Sequence, residues 1–408
     1  MLNNTDDPDR LTFPPWPVYG EDEIEAVSEV LKSGKVNYLL HFMSSPGLTP
    51  FEQGFANLCH TDYAVAVANG TVALELALYA LEIGAGDEVI VPSRSFIASA
   101  SCVAVRGARP VFAEVEADSQ NLDPRCLPGL LTSRTKAILV VHLAGWPCDM
   151  DPILSFARDH HLAVIEDCAQ SHGATYKGRP VGSLGDVAAF SFCTDKIITT
   201  GGEGGMLVTS RPDIWQRAWS YKDHGRSYLV TVGRQELSQR RNLYERIGTN
   251  WRLTQMQAAI GLQQMAKLPG WLQERKRNAS KLNSLLAHVP GLRLTLPSQE
   301  FGHAYYKYYV HVRPEMLAKG WDRNRIWQTV EECGVPCQLG SDAEIYLDKV
   351  FQDRGWQPAV PWPVARQVGK SSLVFPVHPG LQDQHMVRIG ETLSAVMKLA
   401  TTGGHEDA

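Results

Sequence analysis

The 408-residue chain has no surplus of positive charge: 39 Lys and Arg stand against 44 Asp and Glu, a net charge of −5. A surface that displaces counterions from a polyanion needs clustered cations, so nucleic-acid binding is excluded as the main task. Long apolar runs are also missing. The most apolar stretch, KAILVVHLAGW, is interrupted by His142 and falls short of the roughly 18 residues that cross a bilayer. The first residues, MLNNTDDPDR, are acidic and polar and lack the basic and apolar regions of a secretion signal. A cytoplasmic protein with no membrane partner is expected. The eight cysteines are scattered with no C-x-x-C pair, and no H-E-x-x-H occurs. Such thiols are expected to be reduced and mostly buried, and no metal centre is expected.

What is present is a chain that is 44% apolar, enough for a large core without staples. At about 150 residues per domain, two to three domains are expected. Between residues 60 and 210, β-rich runs alternate with helical stretches. The runs are 63–68, 88–92, 109–115, 136–143, 162–167, 187–192 and 205–210. Several are apolar on both faces, which predicts strands covered by helices on each side. The fold class is α/β, with a mostly parallel, mixed sheet flanked by helices. Helices are expected at 211–222 and 254–268, with a separate one over WLQERKRNASKLNSLL. Beyond 286, β-like runs such as YYKYYVHV (305–312) mix with helical patterns. The expected division is a large domain over 1–285 and a small α+β domain over 286–408.

Three clusters carry chemistry. In AVANGTVALELAL a strand ends at Asn69-Gly70 and a helix starts at Thr71, which reads as an anion site at a helix start or as a plain turn with a Thr cap. In VIEDCAQSHGA, Glu166 and Asp167 close an apolar strand, at the edge where open α/β sheets hold ligands. Strand side chains alternate, so only one of the two faces a given site. In VAAFSFCTDKIITTGGEGG, a strand delivers Ser191 and a turn presents Lys196. This is neither a Walker loop nor a dinucleotide fingerprint. An anion site, a strand-end carboxylate and a lysine on one sheet edge are together what pyridoxal phosphate requires.

With these motifs, and with GDEVIVPSRSF, GTNWRLTQMQAAIG and FPVHPGL, the chain resembles the DegT/StrS family of sugar aminotransferases over residues 14–395. The resemblance implies a fold-type-I pyridoxal-phosphate (PLP/PMP) transferase. Lys196 matches the Schiff-base lysine and Asp167 the partner of the pyridinium nitrogen. Gln170 matches a cofactor-ring contact and Phe96 a stacking aromatic. Gly70, Thr71 and Ser191 match the phosphate site. Asn250 matches an asparagine that reaches the neighbouring subunit's phosphate, so a homodimer with a shared site is implied, with segment 225–249 at its interface. His224, Arg226 and Arg252 are candidates for substrate contacts, and each has a structural alternative. Trp146 is a candidate cleft residue or a packed Trp.

The implied reaction moves an amino group from glutamate or glutamine to a nucleotide-linked keto-sugar, for lipopolysaccharide O-antigen or another surface polysaccharide. Three rivals remain: a keto-cyclitol aminotransferase, a pyridoxamine-phosphate sugar dehydratase and a non-catalytic regulator of the same fold. Lys196 disfavours the dehydratase, and the retained Lys196, Asp167, Ser191 and Asn250 disfavour the regulator.

Overall fold

The structure is a computed structural model that describes residues 11–38, 49–231 and 243–402. Residues 232–242 of the expected interface segment lie outside the described residues. All seven β-rich runs form strands. They are β1 (Tyr63–Val67), β2 (Glu88–Pro92), β3 (Arg109–Ala113), β4 (Thr135–Val141) and β5 (Ala163–Asp167). After the short β6 (Thr175–Tyr176) and β7 (Arg179–Pro180) come β8 (Val187–Ser191) and β9 (Gly205–Thr209). The main sheet has the order β1-β9-β8-β5-β4-β2-β3. Strand β9 is antiparallel to β1 and β8, and the other pairings are parallel. Six strands therefore bring their carboxyl ends to one edge, the ligand edge of such sheets.

The strands are apolar on both faces because each face has its own core. Ala64, Ile90, Ile138, Val164 and Phe190 point into one cluster, while Val65, Val89, Leu139, Ile165 and Ala189 point into the other. The helices of eight residues or more before the C-terminal layer are, among the described residues, α1 (Glu21–Ser33), α2 (Pro50–Cys59), α3 (Gly70–Ala80), α4 (Ala98–Val105), α5 (Met150–Asp159), α6 (Pro212–Tyr221) and α7 (Gln255–Leu286). Residues of α2, α5 and α7 pack in the first cluster, and those of α3, α4 and α6 in the second.

Helix α7 corrects one expectation. The two predicted helices are a single 32-residue helix with Pro269 inside it. Proline removes an i→i−4 hydrogen bond, and Pro269 and Gly270 are solvent-exposed. Burial on either side holds the axis together: Ala258 and Leu268 pack into the main core, and Ala279, Leu282 and Leu286 into a C-terminal core.

The C-terminal layer is built on β10 (Leu292–Leu294), β12 (Tyr308–Val312) and β13 (Ser372–Phe375) as an antiparallel sheet. The two-residue β11 (Phe301–Gly302) instead pairs with β6. Helices α8 (Arg323–Glu332), α9 (Pro363–Ser371) and α10 (Asp383–Thr402) complete it. The segment after residue 340 turns back: Ile345, Tyr346 and Phe351 join the core of the main sheet. Among the described residues no helix is long and apolar enough to cross a membrane. Five of the eight cysteines are buried, and all are free thiols.

Candidate active site

The turn from β1 into α3 is organised by Asn69, not by Thr71 as expected. The Asn69 side chain accepts from the backbone N–H of Val72 (3.0 Å), and the helix begins at Gly70. The Thr71 hydroxyl is thereby left out of the cap. The first N–H groups of a helix lack intrahelical partners, and the helix dipole adds positive potential there. Close packing explains the glycines. A Cβ on Gly70 would lie 2.6 Å from Cβ of Ser191, and one on Gly205 would lie 2.3 Å from the Asn69 carbonyl oxygen. The ends of β1, β8 and β9 thus converge on the start of α3.

Glu166 and Asp167 take opposite faces of β5, as alternation requires. Glu166 is fully buried and accepts from the N–H groups of Gly182 (2.9 Å), Leu184 (2.8 Å) and Gly185 (2.7 Å). Its Oε2 also lies 3.0 Å from Nε2 of His142, whose Nδ1 accepts from the N–H of Cys148 at 3.0 Å. The Nδ1 contact places the ring proton on Nε2, so His142 donates to Glu166. His142, Glu166 and Cys168 are close enough together to bracket an ion, yet the His and Glu polar atoms are taken by these hydrogen bonds. This cluster is structural.

Asp167 faces the cleft. Its Oδ2 accepts from the Ser99 hydroxyl (2.7 Å) and its Oδ1 from the N–H of Ala169 (3.1 Å). Burial pushes its carboxyl above the ordinary Asp range, against those two hydrogen bonds and the charge of Lys196. A buried carboxylate held this way favours a cationic partner.

Lys196 sits on the turn between β8 and β9. That turn is closed by hydrogen bonds from the N–H of Phe192 to Gly204 (2.8 Å) and from the N–H of Thr194 to Gly202 (3.0 Å). Gly202 has φ 123°, which favours glycine. Trp16 fixes the lysine backbone: its Nε1 donates to the Lys196 carbonyl at 2.9 Å. The ammonium is 3.6 Å from Asp195 Oδ1 and 5.0 Å from the ring centre of Tyr306. Asp195 in turn accepts from the Tyr306 hydroxyl. Burial acts to raise the Asp195 carboxyl, but Lys196, Tyr306 and Lys307 outweigh it and hold it below the usual range.

These groups line one cleft of about 790 Å³, which brings together Gly70, Thr71, Phe96, Asp167, Gln170, Ser191 and Lys196. Phe96 is 63% exposed, unusual for so large an apolar side chain. Gln170 is oriented by the N–H of Ala144 (2.7 Å to Oε1), and Ala144 itself has φ 57°. Sequence reasoning missed the far wall, where Tyr306, Lys307, Tyr309 and residues 338–342 reach in from the C-terminal layer. The run 305–312 does form a strand with buried Tyr308, Val310 and Val312, but its first residues line the cleft.

Four candidates lie elsewhere in this chain. Arg252 is paired with buried Asp223, Arg226 lies over the Tyr244 ring at 5.9 Å, and His224 and Asn250 are exposed. None lines the cleft. The segment carrying Arg252 runs beside the end of β1, bridging Val67. Trp146 is packed, 8% exposed, against Phe301 and His303.

Pyridoxal phosphate fits this donor set. A helix start with close-packed glycine suits a phosphate, a buried carboxylate suits the pyridinium, an exposed aromatic suits the ring face and a lysine suits the aldehyde. Comparison with known proteins agrees. The family model for DegT/DnrJ/EryC1/StrS aminotransferases matches residues 17–394. A GDP-perosamine synthase of Caulobacter vibrioides is 36% identical over 383 residues, 92% of this chain and 98% of that protein. A dTDP-3-amino-3,4,6-trideoxy-alpha-D-glucose transaminase of Streptomyces venezuelae is 35% identical, covering 89% of each chain. The structure of an aminotransferase from Psychrobacter cryohalolentis superposes with a TM-score of 0.91 at 46% identity, covering 95% of this chain and 99% of that one. The chain belongs to the DegT/DnrJ/EryC1/StrS aminotransferase family, as a transaminase whose cofactor is pyridoxal phosphate.

Proposed function

We propose that the protein transfers the amino group of glutamate or glutamine to a nucleotide-linked keto-sugar, as a cytoplasmic homodimer supplying amino sugar for a surface polysaccharide such as an O-antigen. The observation that carries this reading is the convergence of Lys196, Asp167 and the start of α3 on one cleft. Relatives that act on GDP- and dTDP-linked sugars over nearly the same length support the nucleotide.

Bound pyridoxal phosphate supplies an electrophilic carbonyl carbon and an electron-withdrawing ring. The N–H groups of Gly70 and Thr71 and the hydroxyls of Thr71 and Ser191 hold its phosphate. Asp167 keeps the ring nitrogen protonated, which sustains the electron withdrawal. Phe96 covers one ring face and Gln170 contacts the ring. With the cofactor bound, Lys196 Nζ would be the group that takes the proton from the amine-bearing carbon of the donor and holds it for return. In the first half-reaction the donor leaves as its 2-oxo acid. In the second, run with the same residues in reverse, the keto-sugar leaves as the amino sugar, so the kinetics are ping-pong. Asn250 reaches the phosphate of the partner subunit.

The test is glutamate-dependent amination across a panel of nucleotide-linked keto-sugars and scyllo-inosose, with product mass as the readout. The purified protein should be yellow and bleach with glutamate, and a nucleotide sugar should gain an amine. Amination of the cyclitol alone would replace the substrate, and loss of water without gain of nitrogen would replace the reaction.

A further inference from the structure

The cleft holds a cation that the cofactor does not claim. Lys307 lines the same cleft as Lys196, and both ammonium groups lie against one ring. Nζ of Lys196 is 5.0 Å and Nζ of Lys307 is 5.2 Å from the centre of Tyr306, so the two nitrogens are no more than about 10 Å apart. Their shared carboxylate is Asp195, which is already engaged by Lys196 and by the Tyr306 hydroxyl. Lys307 makes no ion pair among the described residues.

Behind this wall Arg275 is fully buried. It donates through Nη1 to the carbonyls of Tyr305 (3.2 Å) and Tyr306 (3.3 Å) and lies over the Trp16 ring at 5.0 Å, while its Nε and Nη2 have no hydrogen-bond partner among the described residues. Three cations thus gather on residues 305–307 against one carboxylate. Burying uncompensated charge is unfavourable, and the consequence is visible at Lys307. Burial, with the repulsion of Arg275 and Lys196, holds its ammonium below the ordinary Lys range in spite of Asp195. An anion beside Lys307 would offset the repulsion from Arg275 and Lys196.

We propose that Lys307 binds the α-carboxylate of the amino donor. The inference rests on the transaminase reading above and deepens it. Two features of the reaction select this anion. The α-carboxylate is one bond from the carbon whose proton Lys196 moves, so it must lie near Lys196, in the cleft that Lys307 also lines. The diphosphate of a nucleotide sugar is attached at C1, across the ring from a carbon aminated at C3 or C4, and is carried away from the lysine. The α-carboxylate is common to glutamate and glutamine, so the proposal holds for either donor. The expected alternatives lie outside this cleft in this chain: Arg252 is paired with Asp223, and Arg226 lies over the Tyr244 ring.

The test separates the half-reactions in the holoenzyme. In Lys307→Met, the glutamate concentration that half-saturates bleaching should rise at least about tenfold. The concentration dependence of the pyridoxamine form on keto-sugar should stay near wild type. Lys307→Arg should recover most of the loss, and a spectral titration with 2-methylglutamate, which has no α-proton to lose, should weaken in parallel with the first effect. Lys307→Gln takes the place of the Met variant if that one loses its cofactor. An unchanged glutamate dependence would overturn the proposal, and so would a loss confined to the sugar half-reaction, which would assign Lys307 to the diphosphate. If neither glutamate nor glutamine bleaches the wild type, the transaminase reading fails instead.

Discussion

At the scale of the residue, two adjacent carboxylates illustrate how environment divides labour. Asp167 is buried with two hydrogen bonds and no ion pair short enough to cancel its desolvation. Its carboxyl is pushed up, so its ionised form costs the cofactor-free fold stability that is present at low pH and lost as pH rises through the folded value. Asp167→Asn removes that cost while leaving an oxygen to accept from Ala169. The cofactor-free variant should therefore melt above the cofactor-free wild type at neutral pH. If Asp167 is the counter-charge of the ring nitrogen, the same variant should bind cofactor weakly and turn over roughly 10²-fold or more slowly. Calorimetry of both forms, with and without cofactor, reads the two effects; a cofactor-free variant less stable than wild type would refute the argument.

Glu166 behaves in the opposite way. Burial alone would raise its carboxyl, but His142 and the N–H groups of Gly182 and Gly185 outweigh it and hold it below the usual range. Its contribution is full above the unfolded carboxylate pKa and is lost as pH falls through the folded value. Glu166→Gln turns an NH₂ toward groups that already donate and should cost about 3 kcal/mol. Denaturation across acidic pH should show the gap between variant and wild type narrowing as pH drops.

At the scale of the element, the turn from β1 to α3 works by exclusion of volume. Gly205 opens β9 directly under the Asn69 carbonyl, so Gly205→Ala must push the start of α3 away from Ser191. We expect a loss of about 1–3 kcal/mol and, if the start of α3 holds the cofactor phosphate, a weaker hold on it, read by melting and by release of cofactor on dialysis. Helix α7 offers the reverse case. Pro269 is exposed within it and proline costs roughly 3 kcal/mol in a helix interior, so Pro269→Ala should raise the melting temperature without changing turnover.

Elements of these kinds were unequally legible in the sequence. The seven strands of the main sheet could be read because their burial on both faces leaves an unbroken apolar run between turn residues. The start of α3, Asp167 and Lys196 could be read because each sits where a strand ends. Helix α7 was divided because Leu-Pro-Gly-Trp is a local stop signal that burial on both sides overrides. The far wall of the cleft was hidden for a different reason. Tyr306 and Lys307 precede β12 in a run whose alternation describes only the strand, and they meet Lys196 through packing between residues more than a hundred positions apart.

At the scale of the whole molecule, the candidate residues divide into those gathered in one cleft and those left on the surface. Lys196 and Asp167 are in the cleft, whereas Asn250 is exposed near the end of β1. Exposed apolar side chains lie in the same stretch of chain, with Tyr244 52% and Ile247 89% accessible, as a surface awaiting a second copy would leave them. If Asn250 serves the partner's phosphate, each site needs Lys196 from one subunit and Asn250 from the other. Lys196→Ala and Asn250→Ala should then both be inactive or nearly so as pure proteins. In a mixed dimer one site collects both lesions, and the other has an intact Lys196 facing an intact Asn250. A two-fold interface makes this outcome compulsory. Equal amounts, unfolded together and refolded, form mixed dimers in about half of all cases, so about a quarter of the sites regain function. Recovery of roughly a quarter of wild-type activity would establish the shared site, and a mixture no more active than its components would place Asn250 in the service of its own chain.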